Sequence, residues 1–243
     1  MRLQFCFLIL ASFIASHLNA NQPIVSAIEA QSAGRLASGE RVAAIVPEGW
    51  NGKLFLWVAP EPYADEAALL ADLRTREPFA SLGAYGWMLA AIARPEAESP
   101  EIAMSAVCLL QDSMVEAYGV PLRTVLLGES GAGDTVLSMA ERMPARVSGA
   151  VVAGSGFLEG APQPSTDLTF EPAATVLMVA NRDRIDDAAT YVARAASKGI
   201  EVALWQVERD GPLSISDEEY IASVLAIDSW LDASVTGYAQ LSR

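Results

Sequence analysis

Three continuous apolar runs set the strongest limit on what this chain can fold into. Lys53-Leu-Phe-Leu-Trp-Val58, Tyr85-Gly-Trp-Met-Leu-Ala-Ala-Ile-Ala93 and Thr124-Val-Leu-Leu127 have strand length and do not alternate apolar with polar side chains. A strand that is apolar on both faces belongs to a sheet covered on both sides. Helix-like segments fall between these runs. Asp65 to Arg76 is rich in Ala and Leu. Ser99-Pro100-Glu101 opens a second helix, with a capping Ser, a Pro at the first helical position and an acid that complements the helix dipole. Ala103, Val107, Leu110, Met114 and Ala117 form its apolar stripe, and Gly119 and Pro121 stop it.

The alternation continues to the end of the chain. A helix running to Arg142 is followed by a strand over Val147 to Val152 and a Gly- and Pro-rich loop from Gly154 to Pro172. A strand over Thr175 to Ala180 leads to a helix capped by Asp186 or Asp187 and ending at Lys198-Gly199. The last strand covers Ile200 to Val207, and Ser216 with Glu219 makes a capping box for a final helix to Leu231, before a polar tail. The short apolar runs in residues 24–46 suit an antiparallel edge region. The pattern therefore predicts one α/β domain over residues 21–243, a three-layer α/β/α sandwich on a mostly parallel central sheet. The short loop after the fourth run leaves room for a minimal lid and predicts a shallow, open cleft, suited to a small or surface-bound ligand.

The first twenty residues read differently. Met1-Arg2 is a minimal positive start, Phe5 to Ala15 is almost unbroken apolar sequence, and Asn19-Ala20 ends it on a small residue. Residues 1–20 thus read as a signal peptide, with a secreted or periplasmic destination; a retained anchor or a buried helix is the alternative. The apolar run is too short to span a bilayer, so no membrane span is expected once it is cleaved. Cleavage would remove Cys6 and His17, leaving Cys108 as the one cysteine and no histidine at all. Among all 243 residues there are two cysteines and one histidine, which excludes a zinc finger, an iron–sulfur cluster and a disulfide scaffold; no metal or cofactor is expected. A formal charge of -14 argues against nucleic acid as a partner.

The informative motif is Gly128-Glu-Ser-Gly-Ala132, close to G-x-S-x-G, at the junction of an apolar strand and a helix. A nucleophile elbow needs that junction, because the tight turn lifts the Ser hydroxyl above the sheet edge and the helix N-terminus offers N–H groups to an oxyanion. A glycine-rich turn without chemistry has the same local sequence. With Val46-Pro-Glu-Gly-Trp-Asn-Gly-Lys-Leu-Phe-Leu before it and Val179-Ala-Asn-Arg-Asp183 after it, the chain resembles the α/β-hydrolase family, in the manner of its secreted esterases, over about residues 42–231. The resemblance implies Ser130 as nucleophile and Asp183 as the triad acid; Gly131, at the start of the helix, is a candidate binding residue.

Three departures qualify that likeness. The family's histidine follows the last strand, where this chain has Val207-Glu-Arg-Asp-Gly-Pro212. A Ser hydroxyl without a base is a poor nucleophile. The family's second oxyanion donor falls on Ala59-Pro-Glu-Pro62, where the prolines have no N–H and Glu61 is the remaining donor. Ala132 replaces the last elbow glycine. Lys53 and Lys198, the two lysines, precede predicted strands and so lie at the wrong end for a base. Arg94, Arg182, Arg184 and Arg209 follow strands, beside Glu61, Glu129, Asp183 and Asp210, and form either an anion-binding rim or a solvated set of ion pairs. The expectation is a catalytically impaired hydrolase relative, a pseudoenzyme that binds a small molecule or an ester; a weak or unconventional serine ester hydrolase is the alternative.

Overall fold

A computed structural model describes residues 28–93, 100–154, 175–181, 185–197, 199–208 and 216–241. Eight strands form one sheet: β1 (Ile28–Arg35), β2 (Arg41–Pro47), β3 (Lys53–Val58), β4 (Met88–Ile92), β5 (Arg123–Glu129), β6 (Gly149–Ala153), β7 (Thr175–Asn181) and β8 (Val202–Val207). Their order is β1-β2-β4-β3-β5-β6-β7-β8. β1 and β2 are antiparallel to each other, and β2 to β4, while β4 through β8 run parallel. The six predicted buried strands thus lie in one sheet, and the antiparallel edge falls in residues 28–47.

The continuous apolar runs are explained by two cores, one on each face. Leu54, Leu56 and Val58 of β3 face one core, together with Leu126 of β5. Phe55 and Trp57 face the other, with Val125 and Leu127. The first face is covered by α3 (Pro100–Tyr118), α4 (Gly131–Arg142) and α5 (Ile185–Ser197), through residues such as Met104, Val107, Val136 and Tyr191. The second is covered by α1 (Glu66–Thr75), α2 (Glu77–Ala84) and α6 (Asp217–Leu241), through Leu69, Leu73, Phe79, Leu82, Tyr220 and Val224. Large side chains buried completely on both faces are the main stabilising term, at roughly 25 cal/mol per Å² of apolar surface.

Local chemistry sets the element ends. Asp65 caps α1 by accepting the Ala68 N–H at 2.8 Å. The Ser216–Glu219 capping box forms: Ser216 N–H donates to Glu219 Oε2 at 2.8 Å, and Glu219 N–H to Ser216 Oγ at 3.3 Å. Some element bounds differ from those expected. Residues 77–84 form α2, an element with no clear sequence mark because Gly83, Pro78 and the aromatic Phe79 obscure a helical stripe. α6 continues to Leu241 instead of stopping at Leu231, since no proline interrupts it. The predicted strand at Val147 begins at Gly149.

At the N-terminal end of the sheet, α6 is tied down by charge. Asp228 accepts from Lys53 Nζ and from Arg123 Nη1, each at 2.6 Å. Among the described residues no helix is long and apolar enough to cross a membrane.

Candidate active site

β5 delivers its last residues to the C-terminal edge of the sheet, in register with Val58 of β3 and with Val152 and Ala153 of β6. There the chain turns at Ser130, with φ 51° and ψ -130°, and α4 begins at Gly131. Ser130 is the one non-glycine residue with positive φ among the described residues. Such a conformation costs of order 1–3 kcal/mol and persists where surrounding contacts over-determine it. Here Ser130 N–H donates to Ala153 C=O at 2.9 Å, and Ser130 C=O accepts from Gly133 N–H at 2.9 Å.

Gly128 makes the turn possible. A β-carbon on it would lie 2.5 Å from the Ala132 carbonyl oxygen and 2.6 Å from the Ala132 carbonyl carbon. Ala132, in place of the usual last glycine, is buried among Val136, Leu126 and Val152, so its methyl is accommodated. Ser130 itself is exposed, and its hydroxyl does not cap α4. The first-turn N–H groups of α4, beginning with Gly131, have no partner four residues back, and the helix dipole favours negative charge beside them. This is a strand-to-helix turn that leaves the Ser130 hydroxyl exposed at the N-terminus of α4.

Among the described residues, the segment after β3 faces the same edge. Ala59 N–H is used, donating to Ile92 C=O at 2.9 Å. Pro60 and Pro62 have none, and Glu61 is exposed after them. The chain's one histidine is His17. Lys53 begins β3, at the far end of the sheet from Ser130, and is paired with Asp228. Asp183, Arg94, Arg182, Arg184, Arg209, Asp210 and Lys198 lie outside the described residues, as does the Gly154–Pro172 loop beyond its first residue. β4, β7 and β8, which precede the four arginines, run parallel to β5 and so end at the Ser130 edge.

Glu129 departs from the expected rim. It is buried, on the strand face shared with Val125 and Leu127, toward the α1, α2 and α6 layer. The cation on that side is Arg76, which the sequence marks only as the second of two arginines at a helix end, three residues before Phe79. The Arg76 guanidinium carbon lies 5.3, 5.1 and 4.9 Å from the ring centroids of Trp57, Phe79 and Tyr220. Burial works against its charge, but Tyr220, Glu129 and Asp217 outweigh that and keep its pKa above the ordinary value. Burial, then the Glu129 carboxylate, push the Tyr220 phenol upward as well.

A separate open groove of 580 Å³ is lined by Ser105, Cys108, Leu109, Met143, Ala145 and Arg146. It sits at the C-terminal end of α4, about 18 Å along that helix from Ser130. It is no part of the elbow site.

No protein-family model matches this sequence, and no curated protein matches it at a significant level. Solved structures do match its shape. S-formylglutathione hydrolase from Staphylococcus aureus is 10% identical with a TM-score of 0.58, over 85% of this chain and 97% of that one. An esterase/lipase from an uncultured bacterium is 12% identical with a TM-score of 0.60, over 88% and 94%. An esterase of the bacterial hormone-sensitive lipase family is 14% identical with a TM-score of 0.56, over 86% of each chain. At such identities the likeness concerns the fold. The strand order, the mixed edge and the elbow at the end of β5 define the α/β-hydrolase fold.

Proposed function

We propose that this chain is an exported relative of α/β-hydrolases that retains the nucleophile elbow, lacks a base and acts by binding a small molecule or ester group at Ser130. One observation carries this reading: an exposed Ser130 held at φ 51° at a helix N-terminus, in a chain whose only histidine is His17. Removal of the general base alone lowers hydrolytic rates by several orders of magnitude. Loss of an oxyanion donor lowers them by a further 10²–10³ or so. Together these leave roughly little beyond the rate in water, whereas the open elbow can still hold a polar group. Export is supported by the positive start and apolar run of residues 1–20; cell fractionation and N-terminal sequencing test it, with a start at Asn21 expected.

The second reading is a weak serine ester hydrolase that uses a carboxylate or water as base. The uncommitted Ser130 hydroxyl next to the Gly131 N–H favours it. A fluorophosphonate probe and short p-nitrophenyl esters separate the two. Under the binding reading turnover equals that of Ser130→Ala. Labelling lost in Ser130→Ala, with turnover well above buffer, establishes the second.

A further inference from the structure

We propose that Arg76 is a positioning residue for Ser130: its guanidinium is the counter-charge that lets a carboxylate lie buried immediately before the elbow, and it ties the elbow to the first turn of α6. Arg76 ends α1 and caps α2. Its N–H donates to Asp72 C=O at 3.0 Å, and its C=O accepts from Phe79 and Ala80, each at 3.1 Å. This fixed backbone holds the guanidinium among the Trp57, Phe79 and Tyr220 rings, all within 5.3 Å. A planar, weakly hydrated guanidinium tolerates such a place better than an ammonium does. Its Nη2 lies 3.9 Å from Asp217 Oδ1, at the start of α6, and Tyr220 stands one turn further on.

Glu129 faces the same layer, since Val125 and Leu127 before it on β5 pack against that side. It stands one same-face step beyond Leu127, which is in register with Trp57, the ring that Arg76 covers at 5.3 Å; its charge there favours the Arg76 cation and the neutral Tyr220 phenol. A buried carboxylate without a counter-charge is strongly disfavoured, and the backbone would move to relieve it. The residue that would move is joined directly to Ser130. The pairing also has a consequence for ligands. An unbalanced carboxylate next to Ser130 would repel the anionic or oxygen-rich groups that the α4 N-terminus attracts, and Arg76 cancels that repulsion. The inference goes beyond the proposed function and holds whether Ser130 binds or reacts.

The test uses the ¹⁵N-labelled chain and reads the amide signals and hydrogen exchange of Ser130, Gly131 and Gly133. Arg76→Met is expected to shift these signals and speed their exchange tenfold or more. Adding Glu129→Gln is expected to return both toward wild type, because the unpaired charge is gone although the rings still lack the guanidinium. If Arg76→Met alone does not fold, the double variant is expected to fold and give wild-type-like elbow signals. Unchanged elbow signals in a folded Arg76→Met overturn the proposal. So does a disturbance, or a failure to fold, that Glu129→Gln does not relieve, since that assigns the effect to packing. No ester turnover enters the readout, so failure here leaves the proposed function standing, and the converse also holds.

Discussion

Gly128→Ala is the sharpest probe of the elbow's construction. The added methyl would sit 2.5 Å from the Ala132 oxygen, 2.6 Å from its carbonyl carbon and 2.9 Å from Gly133 N. Ordinary contacts lie near ~3.5 Å, so the turn must open by about 1 Å. All three atoms are backbone in the first turn of α4, and no rotamer change relieves the clash. Opening the turn shifts α4 against β5 and β6, where Ala132, Val136, Met139 and Ala140 are buried almost completely. Overpacking of this kind costs typically 1–3 kcal/mol, and a backbone clash falls at the upper end, about 3 kcal/mol. For a domain of this size that lowers Tm by roughly 6–12 °C. Thermal unfolding followed by circular dichroism measures it, with Gly34→Ala as control, because nothing lies within 4 Å of a β-carbon there. A Gly128→Ala melt within about 2 °C of wild type would refute the tight strand-to-helix turn, on the scale of about 2–4 °C per kcal/mol.

Three further outcomes follow from named contacts. Asp228→Ala leaves Lys53 without its carboxylate partner and Arg123 with Asp232 and the residue-228 carbonyl alone; urea unfolding should show a loss of about 2 kcal/mol, and a loss below about 0.5 kcal/mol would contradict the clamp. Burial raises the Cys108 thiol pKa, so the native state keeps a proton that the unfolded chain releases above about pH 8.5. That contribution to stability is complete below the ordinary thiol value and is lost as pH rises through the raised native one. Tm should therefore fall less steeply from about pH 8 to 10 in Cys108→Ala, and identical slopes would count against it. Placing histidine by Asp210→His or Gly211→His, together with Ala59→His and Pro60→Gly, supplies a base and a second N–H. Ester turnover should rise measurably above wild type and vanish on adding Ser130→Ala, whereas a folded variant without gain would mean a site altered beyond these positions.

The fold was legible because the sequence writes both faces of its strands in apolar residues. Leu54-Phe-Leu-Trp57 divides its side chains between two cores, and only a covered sheet satisfies that. The elbow was legible for a related reason: Gly128 and Ser130 occupy a junction where few other residues fit. α2 was hidden because its eight residues hold Pro78 and Gly83, and its helicity comes from packing Phe79 and Leu82 rather than from local preference. Glu129 was misread as a rim charge because a charged residue at a strand end is usually solvated. Arg76, the counter-charge we propose for it, lies 53 positions earlier in the chain, and pairing at that separation has no local signature.

The most direct test of the central claim is hydrolysis of short p-nitrophenyl esters by purified wild-type chain beside Ser130→Ala, with both shown to be folded. An elbow without a base predicts equal rates, at or near the buffer background. Turnover by wild type that is a hundredfold or more above Ser130→Ala would contradict it and establish a working base that is not histidine.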